Sequence, residues 1–369
     1  MKAKETYPGC TQISNYALKS EILHLNTPPR PPTLVTFRSS KANNSSSQPM
    51  WVPLLLLIVG FVALVWSADR FLAGAAATAT NLGVSKMLIG LTVVSLGTSA
   101  PEIVVALFAA LEGNPLLAIG NALGSNIANI GLVLGITALV APLPFSKQVR
   151  SSELPWLIGA TLLALVLLFN RELSVFDGCL LLLALSAILW RIVAQESNQQ
   201  DDISSSIQDE LDELPDMTTL QALAWLVVGL LILLASAQLL VFAATNIAER
   251  LGVSDMIIGL TIVAVGTSLP ELAATIGSAI KGHPDIAIGN VVGSNILNIL
   301  AVLAVPALLH PTTIDFVAFW RDGGMMLALT LMLALFAYGI NSRAVITRFE
   351  GAVMLAAWIG YNLLLIQQA

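Results

Sequence analysis

Charged side chains are scarce in this chain of 369 residues: they make up 11% of it, whereas hydrophobic residues make up 56%. A soluble domain usually carries about 25% charged residues. The apolar residues also occur in long blocks, such as 51–68 and 154–169. Each block is about long enough to cross a hydrocarbon core of about 30 Å. This composition argues against a single soluble core and predicts an all-α membrane protein with many spans.

Cysteine is scarce as well. Cys10 and Cys179 lie in a polar N-terminal tail and in an apolar block, so they predict neither a disulfide framework nor a thiolate metal site. The net charge of −6 has a local origin, because residues 195–216 hold eight acidic side chains and no basic one. The charge therefore points to no nucleic-acid partner, and we predict none. The lipid membrane is the expected environment.

Turn signals and composition divide the chain into four parts. Residues 1–50 are polar, with no apolar segment before Trp51, and we expect a disordered tail. Residues 51–194 and 220–369 each contain five predicted spans, and the acidic segment 195–219 links them. The ten predicted spans are 51–69, 84–111, 116–140, 154–170, 174–194, 220–247, 253–280, 285–309, 319–340 and 345–366.

The two sets of spans are repeats of one another. Residues 82–136 align with 251–305 at a constant offset of 169, and 30 of the 55 positions are identical. Because five is odd, the second set must enter the membrane from the opposite side. Inverted repeats with interrupted helices are typical of secondary transporters, with the binding site near the middle of the membrane. The sequence thus predicts ten helices in two inverted five-helix repeats.

Basic residues near the span ends predict the orientation, because Lys and Arg are enriched in cytoplasmic loops. One side has eight and the other has five, two of them in the tail. The larger set is Arg70, Lys86, Lys147, Arg150, Arg191, Lys281, Arg343 and Arg348; the smaller set is Arg171, Arg250, Arg321, Arg38 and Lys41. We therefore expect a cytoplasmic linker, both termini outside, and residence in the plasma or inner membrane. The oligomeric state is left open, with a monomer as the expectation.

The second and seventh predicted spans each carry one carboxylate inside an apolar helix, Glu102 and Glu271. Such residues are costly in a membrane and usually functional. Pro101 and Pro270 precede them and cannot donate to the carbonyls four residues earlier. Unpaired carbonyls are tolerated at this depth only beside protein or a polar cavity, and a bound cation can satisfy them. The hydroxyl groups on the same helix faces are Thr98, Ser99, Thr267 and Ser268.

The third and eighth spans add polar stripes at a spacing of four residues. The stripes are Asn121, Ser125 and Asn129 in the first repeat, and Asn290, Ser294 and Asn298 in the second. We favour Ser125, Asn129, Ser294 and Asn298 as site residues because they lie deeper in their helices. Asn121, Asn126, Asn290 and Asn295 could equally be bridges between helices.

The predicted donors are all hard oxygens, which suit calcium, sodium or magnesium rather than zinc or copper. Calcium takes 6–8 oxygen ligands, whereas magnesium keeps its waters, so a dehydrating cage favours calcium. Two carboxylates neutralise either one divalent ion or two monovalent ions. Competition of calcium and sodium for one site makes their exchange a natural outcome, with the ions as cargo and no cofactor.

The motifs GTSAPE at 97–102 and GSNIAN at 124–129, repeated as GTSLPE at 266–271 and GSNILN at 293–298, resemble the sodium/calcium exchanger family of calcium:cation antiporters. The resemblance implies ten helices in two inverted repeats and exchange of three sodium ions for one calcium ion. It implies calcium ligands at Thr98, Glu102, Thr267 and Glu271. It implies sodium ligands at Ser99, Ser125, Ser268, Ser294 and both glutamates, together with the carbonyls of Ser95 and Ala264.

Four other functions are consistent with parts of the sequence. A proton-coupled calcium antiporter remains the main alternative, although the GSN motifs differ from those of that branch. Neutral Asn129 and Asn298 argue against potassium co-transport. An intramembrane hydrolase would need two aspartates at a water-filled cleft, and a cation channel would need a pore or a carbonyl filter. Two broken helices within one chain fit alternating access better, so we predict a transporter and no enzymatic activity.

Overall fold

The computed structural model describes residues 49–82, 99–147, 149–196, 217–280, 282, 284–339 and 344–368. Most of the predicted tail, most of the predicted linker, and two predicted site residues, Ser95 and Thr98, lie outside these ranges. The regular secondary structure of the described chain is helical apart from four two-residue strands.

The first half of the chain contains α1 (Trp51–Asn81), α2 (Ala100–Leu111), α3 (Pro115–Ala128), α4 (Gly135–Val140), α5 (Leu154–Leu167) and α6 (Val175–Glu196). The second half contains α7 (Thr219–Leu251), α8 (Asp255–Ile258), α9 (Ala264–Thr267), α10 (Leu269–Ile280), α11 (Pro284–Leu297), α12 (Ala304–Leu309), α13 (Phe316–Ala318), α14 (Gly324–Tyr338) and α15 (Arg348–Gln368). Short π-helical segments join several of them: Asn129–Leu134, Val149–Glu153, Gly259–Val263, Asn298–Val302 and Phe319–Gly323. A 3-10 turn, Leu168–Asn170, follows α5.

Seven of the described helices are long and apolar enough to cross a membrane, and the bent pair Asp255–Thr267 and Leu269–Ile280 makes eight if it is one span. The protein is therefore an all-helical, multi-pass membrane protein. A described helix lies at each of the ten predicted stretches, but the second begins only at Ala100 and has 12 residues. The described residues alone therefore do not establish ten spans.

Local sequence signals explain where several helices begin. Thr218 and Gln221 form a capping box at the start of α7. At the start of α6, the amide of the preceding Ser174 donates to Asp177 (2.8 Å) and the Asp177 amide donates back to the Ser174 hydroxyl (3.3 Å). At the start of α15, Thr347 and Glu350 exchange the same pair of bonds, at 2.7 and 3.3 Å. These side chains satisfy amide groups that the first helical turn leaves unpaired.

The four strands form two antiparallel pairs that connect the halves. β1 (Leu143–Pro144) pairs with β4 (Val345–Ile346), and β2 (Glu172–Leu173) pairs with β3 (Thr312–Thr313). β1 and β2 flank α5 in the first half, and β3 and β4 flank the α13–α14 span in the second. The first strand of each half thus pairs with the second strand of the other half.

Helices α1 and α7 pack closely along their length. A methyl group added at Gly74 would lie 2.4 Å from the Leu226 amide nitrogen, and one at Gly229 would lie 2.6 Å from that of Phe71. Both glycines are therefore needed for this approach. Ser67 and Ser236, which are 169 residues apart, each donate to the carbonyl three residues earlier at 3.0 Å.

Candidate ion-binding site

The seventh predicted span is broken beside the predicted site. Helix α9 ends at Thr267, α10 begins at Leu269, and the two segments meet at 41°. Pro270 lacks an amide proton, so the helix cannot continue its hydrogen bonds through this turn. The ring of Phe61 in α1 fills the space that a side chain at Gly266 would need. Sequence and packing together place Glu271 in the first turn of α10.

Both glutamates are fully buried. Glu102 lies in the first turn of α2 and Glu271 in the first turn of α10, each with 0% of its surface exposed. Oε1 of Glu271 accepts a hydrogen bond from Ser294 at 3.5 Å. The other three carboxylate oxygens have no partner within the described part of the chain.

Thr267 connects three helices at the site. Its hydroxyl donates to Oδ1 of Asn121 at 3.2 Å and lies 3.4 Å from the hydroxyl of Ser125. The amide of Asn121 donates to the carbonyl of Glu102 at 3.3 Å. Asn121 therefore bridges α3 to α2 and to the broken seventh span, and it holds the Thr267 hydroxyl beside the backbone of Glu102.

Several other predicted ligands are buried and lack partners among the described residues. The hydroxyls of Ser99 and Ser268, Oδ1 of Asn129, and both amide atoms of Asn298 belong to this group. The carbonyl of Ala264, in contrast, accepts from the Ser268 amide at 3.1 Å and from the Thr267 hydroxyl at 3.3 Å. A buried polar group without a partner is costly, and a bound cation removes that cost for an oxygen atom.

The structure therefore groups Glu102 with Thr267 and Ser125 through Asn121, and Glu271 with Ser294. It also contains buried polar groups that the sequence reasoning did not assign to the site. Thr275 lies one turn after Glu271, is 0% exposed, and its hydroxyl has no described partner. The other repeat has Ala106 at this position, so a comparison of the repeats could have drawn attention to it.

No group of three or more His, Cys, Asp or Glu side chains that could hold a metal occurs in the described ranges. The carboxylates, hydroxyls and amides of the site are hard oxygen donors, which suit alkali and alkaline-earth cations. Their burial separates such a cation from the surrounding lipid. The fold and this site define a class: a multi-pass membrane protein with buried hard oxygen donors beside a broken helix.

Comparisons with known proteins identify the family. The family model for the sodium/calcium exchanger protein matches residues 52–193 and 221–367. CaxA of Alkalimonas amylolytica, which bears a provisional name as an antiporter, is 46% identical over 318 residues that cover 86% of this chain and 99% of CaxA. The sodium/calcium exchanger MaX1 of Methanosarcina acetivorans is 30% identical over 347 residues that cover 85% of this chain and 98% of MaX1.

A solved structure agrees with these relatives. The sodium-calcium exchanger NCX_Mj, soaked with Na⁺ and Sr²⁺, matches with a TM-score of 0.58 and 32% sequence identity over 84% of this chain and 97% of that one. The chain belongs to the sodium/calcium exchanger family. It is an ion antiporter, and hence a transporter rather than an enzyme, which confirms the family suggested by the repeated motifs.

Proposed function

We propose that this protein exchanges calcium for sodium across the membrane by alternating access at Glu102 and Glu271. The observation that carries the proposal is the burial of both carboxylates with three of four oxygens unpartnered among the described residues. A buried ionised group is strongly unfavourable unless opposite charge compensates it. One calcium ion or two sodium ions supply that charge, so the two cargoes exclude each other.

The proposed ligands follow the repeated motifs. Calcium contacts the two glutamates with Thr98 and Thr267, and sodium contacts the glutamates and the serines, which are Ser99, Ser125, Ser268 and Ser294. Asn129 and Asn298 lie on the same stripes and supply amide oxygens. The carbonyls of Ser95 and Ala264 complete the sodium sites. The oxygens of Ser99, Ser268, Asn129 and Asn298, which are buried and have no partner in the described ranges, support this set.

We further propose ten spans in two inverted repeats, 51–194 and 220–369, joined by the cytoplasmic linker 195–219. Paired strands must lie on the same side of a membrane. In the ten-span arrangement, six spans separate β1 from β4 and four separate β2 from β3, so each pair has an even number of spans between its members. The π segments that begin at Asn129 and Asn298 are also 169 residues apart. Both observations support the repeat.

Sodium is the proposed driving ion. MaX1 and NCX_Mj are both named as sodium/calcium exchangers, and the site's hydroxyl and amide oxygens suit sodium. The cell membrane, with both termini outside, is the proposed location. Proton-driven calcium transport is the competing function, because a proton can also neutralise either glutamate.

Uptake of calcium-45 into proteoliposomes tests the proposal. Vesicles loaded with sodium should take up calcium, whereas sodium-free vesicles with or without a pH gradient should not. Glu102→Gln and Glu271→Gln should each remove uptake, because each variant loses half of the site's negative charge. Glu172→Gln is the control, since Glu172 is exposed on a strand and outside the site. Uptake driven by the pH gradient alone would instead establish proton coupling.

A further inference from the structure

Three asparagines form a hydrogen-bonded crossing between the two repeats. Nδ2 of Asn129 donates to Oδ1 of Asn295 at 3.0 Å, and Nδ2 of Asn295 donates to the carbonyl of Asn126 at 3.4 Å. All three side chains are at most 1% exposed. Asn295 therefore contacts, through its one amide group, both the backbone and a site side chain of the opposite repeat.

The crossing is asymmetric although the repeats supply the same residues on both sides. Asn126 corresponds to Asn295, and Asn129 corresponds to Asn298, each at the offset of 169. Nδ2 of Asn126 donates within its own helix, to the carbonyl of Ala122 at 2.8 Å. Oδ1 of Asn126 and both amide atoms of Asn298 have no described partner. The mirror-image bond would run from Nδ2 of Asn298 to Oδ1 of Asn126. Neither of these two atoms has a hydrogen-bond partner among the described residues.

The bond to Asn295 determines what Asn129 can offer to a cation. An asparagine amide can rotate to present either its oxygen or its nitrogen, and only the oxygen binds a cation. Because Nδ2 of Asn129 is held by Asn295, Oδ1 is left as the free end, buried and without a described partner. Asn298 has no such partner among the described residues, so within that part of the chain one of the two repeat-related amides is oriented and the other is not.

We propose that Asn295 is a positioning residue that orients Asn129 for cation binding in the state seen here, and that Asn126 orients Asn298 in the oppositely facing state. This inference rests on the proposed alternating-access exchange. In the other state, Nδ2 of Asn298 donates to Oδ1 of Asn126, and Nδ2 of Asn126 leaves Ala122 and donates to the carbonyl of Asn295. Meanwhile Nδ2 of Asn295 returns to the carbonyl of Val291 in its own helix.

This change of hydrogen-bond partners among the four asparagines conserves the number of hydrogen bonds. The state seen here has two bonds across the repeats and one within a helix, and the mirror-image state has the same three types. The two states therefore have similar energies as far as these amides are concerned. A reversible exchanger needs such a balance, because the cations can shift an equilibrium only by their differential affinity for the two states.

Affinity measured separately on each face of the membrane tests the inference. Calcium uptake is measured with right-side-out and inverted vesicles carrying Asn295→Ala or Asn126→Ala. Each variant should weaken the apparent calcium affinity on one face by about fivefold, the effect of one lost hydrogen bond of ordinary strength. The two variants should lose affinity on opposite faces of the membrane. The double variant should have a lower apparent calcium affinity on both faces. Asn362→Ala is the control, because its amide donates to Trp358 within α15.

If these residues had a merely structural role, replacing them would lower the apparent calcium affinity equally on both faces of the membrane or lower the amount of folded protein. Equal effects of Asn295→Ala on the two faces, or effects of both variants on the same face, overturn the proposal. If the alanine variants do not fold, Asn295→Ser and Asn126→Ser shorten the side chains with less loss of polarity and should give the same pattern of faces. Wild-type vesicles in the same assay report whether sodium-driven exchange occurs at all, so failure of the proposed function is recognised separately.

Discussion

Individual glycines set the distance between the two helices that line the site. A methyl group at Gly120 would lie 2.4 Å from the carbonyl oxygen of Met256, and one at Gly259 would lie 2.5 Å from that of Leu117. At Gly124 the added atom would lie 2.7 Å from the side chain of Ala264. Small residues of this kind allow helix backbones to approach closely in a membrane. The 3.4 Å contact between Ser125 and Thr267 depends on that approach.

Gly124→Ala should therefore separate α3 from the span that contains Thr267. We expect a loss of about 1–3 kcal/mol in stability, the usual effect of overpacking, and weaker calcium binding. Thermal unfolding in detergent and calcium-dependent stabilisation measure the two effects. Gly159→Ala is the matched control, because no described atom lies within 4 Å of the added methyl group and the residue is in α5. Equal melting temperatures for the two variants would contradict this account.

At the residue scale, the sequence predicted the burial of both glutamates and the polar stripes of α3 and α11. It could do so because intramembrane carboxylates and amides at helical spacing are rare and costly. The bridging role of Asn121 was left open, since a polar residue in an apolar helix can face either a site or a neighbouring helix. The orientation of Asn129 was beyond the sequence, because it depends on Asn295, 166 residues away.

At the scale of helices, apolar block length predicted stretches at which described helices lie, whereas the irregular segments were not predicted. The π segments depend on packing between helices that no local pattern records. The two-residue strands are too short to show an alternating pattern. The lost hydrogen bond at Pro270 predicted an interruption of the seventh span, because proline has a local, residue-specific effect on helix hydrogen bonding. The angle of that interruption, 41°, depends on the surrounding helices.

Replacing that proline should restore part of the continuous helix. In Pro270→Ala the new amide can donate to the carbonyl of Gly266, which leaves that carbonyl less available and moves Glu271. We expect calcium exchange to fall by about tenfold, equivalent to about 1.4 kcal/mol, with a melting temperature equal to or above that of the wild type. Pro115→Ala is the control, because Pro115 begins α3, where a helix needs no amide donor. Unchanged exchange in Pro270→Ala would show that the break is not needed.

At the scale of the whole molecule, contacts between distant loops restrict which ends of the helices share a side. Beyond the strand pairs, the Tyr338 hydroxyl donates to the carbonyl of Arg150 at 2.8 Å, which joins the end of α14 to the segment before α5. Arg321 donates to Gln368 at 2.7 Å and so joins the start of the ninth predicted span to the end of the tenth. Both contacts agree with the alternation of ten spans. The distribution of basic residues then predicts one of the two possible orientations.

Cysteine labelling in intact cells tests that orientation. In a background with Cys10→Ser and Cys179→Ser, single cysteines are placed by Lys147→Cys, beside β1, and by Thr313→Cys in β3, both at exposed positions. Because the positive-inside rule places Lys147 in the cytoplasm, a membrane-impermeant maleimide should label the Thr313→Cys variant and should reach the Lys147→Cys variant only after permeabilisation. The reverse pattern would keep the alternation of spans but invert the molecule. Labelling of both from outside would place β1 and β3 on the same side, which ten alternating spans do not allow.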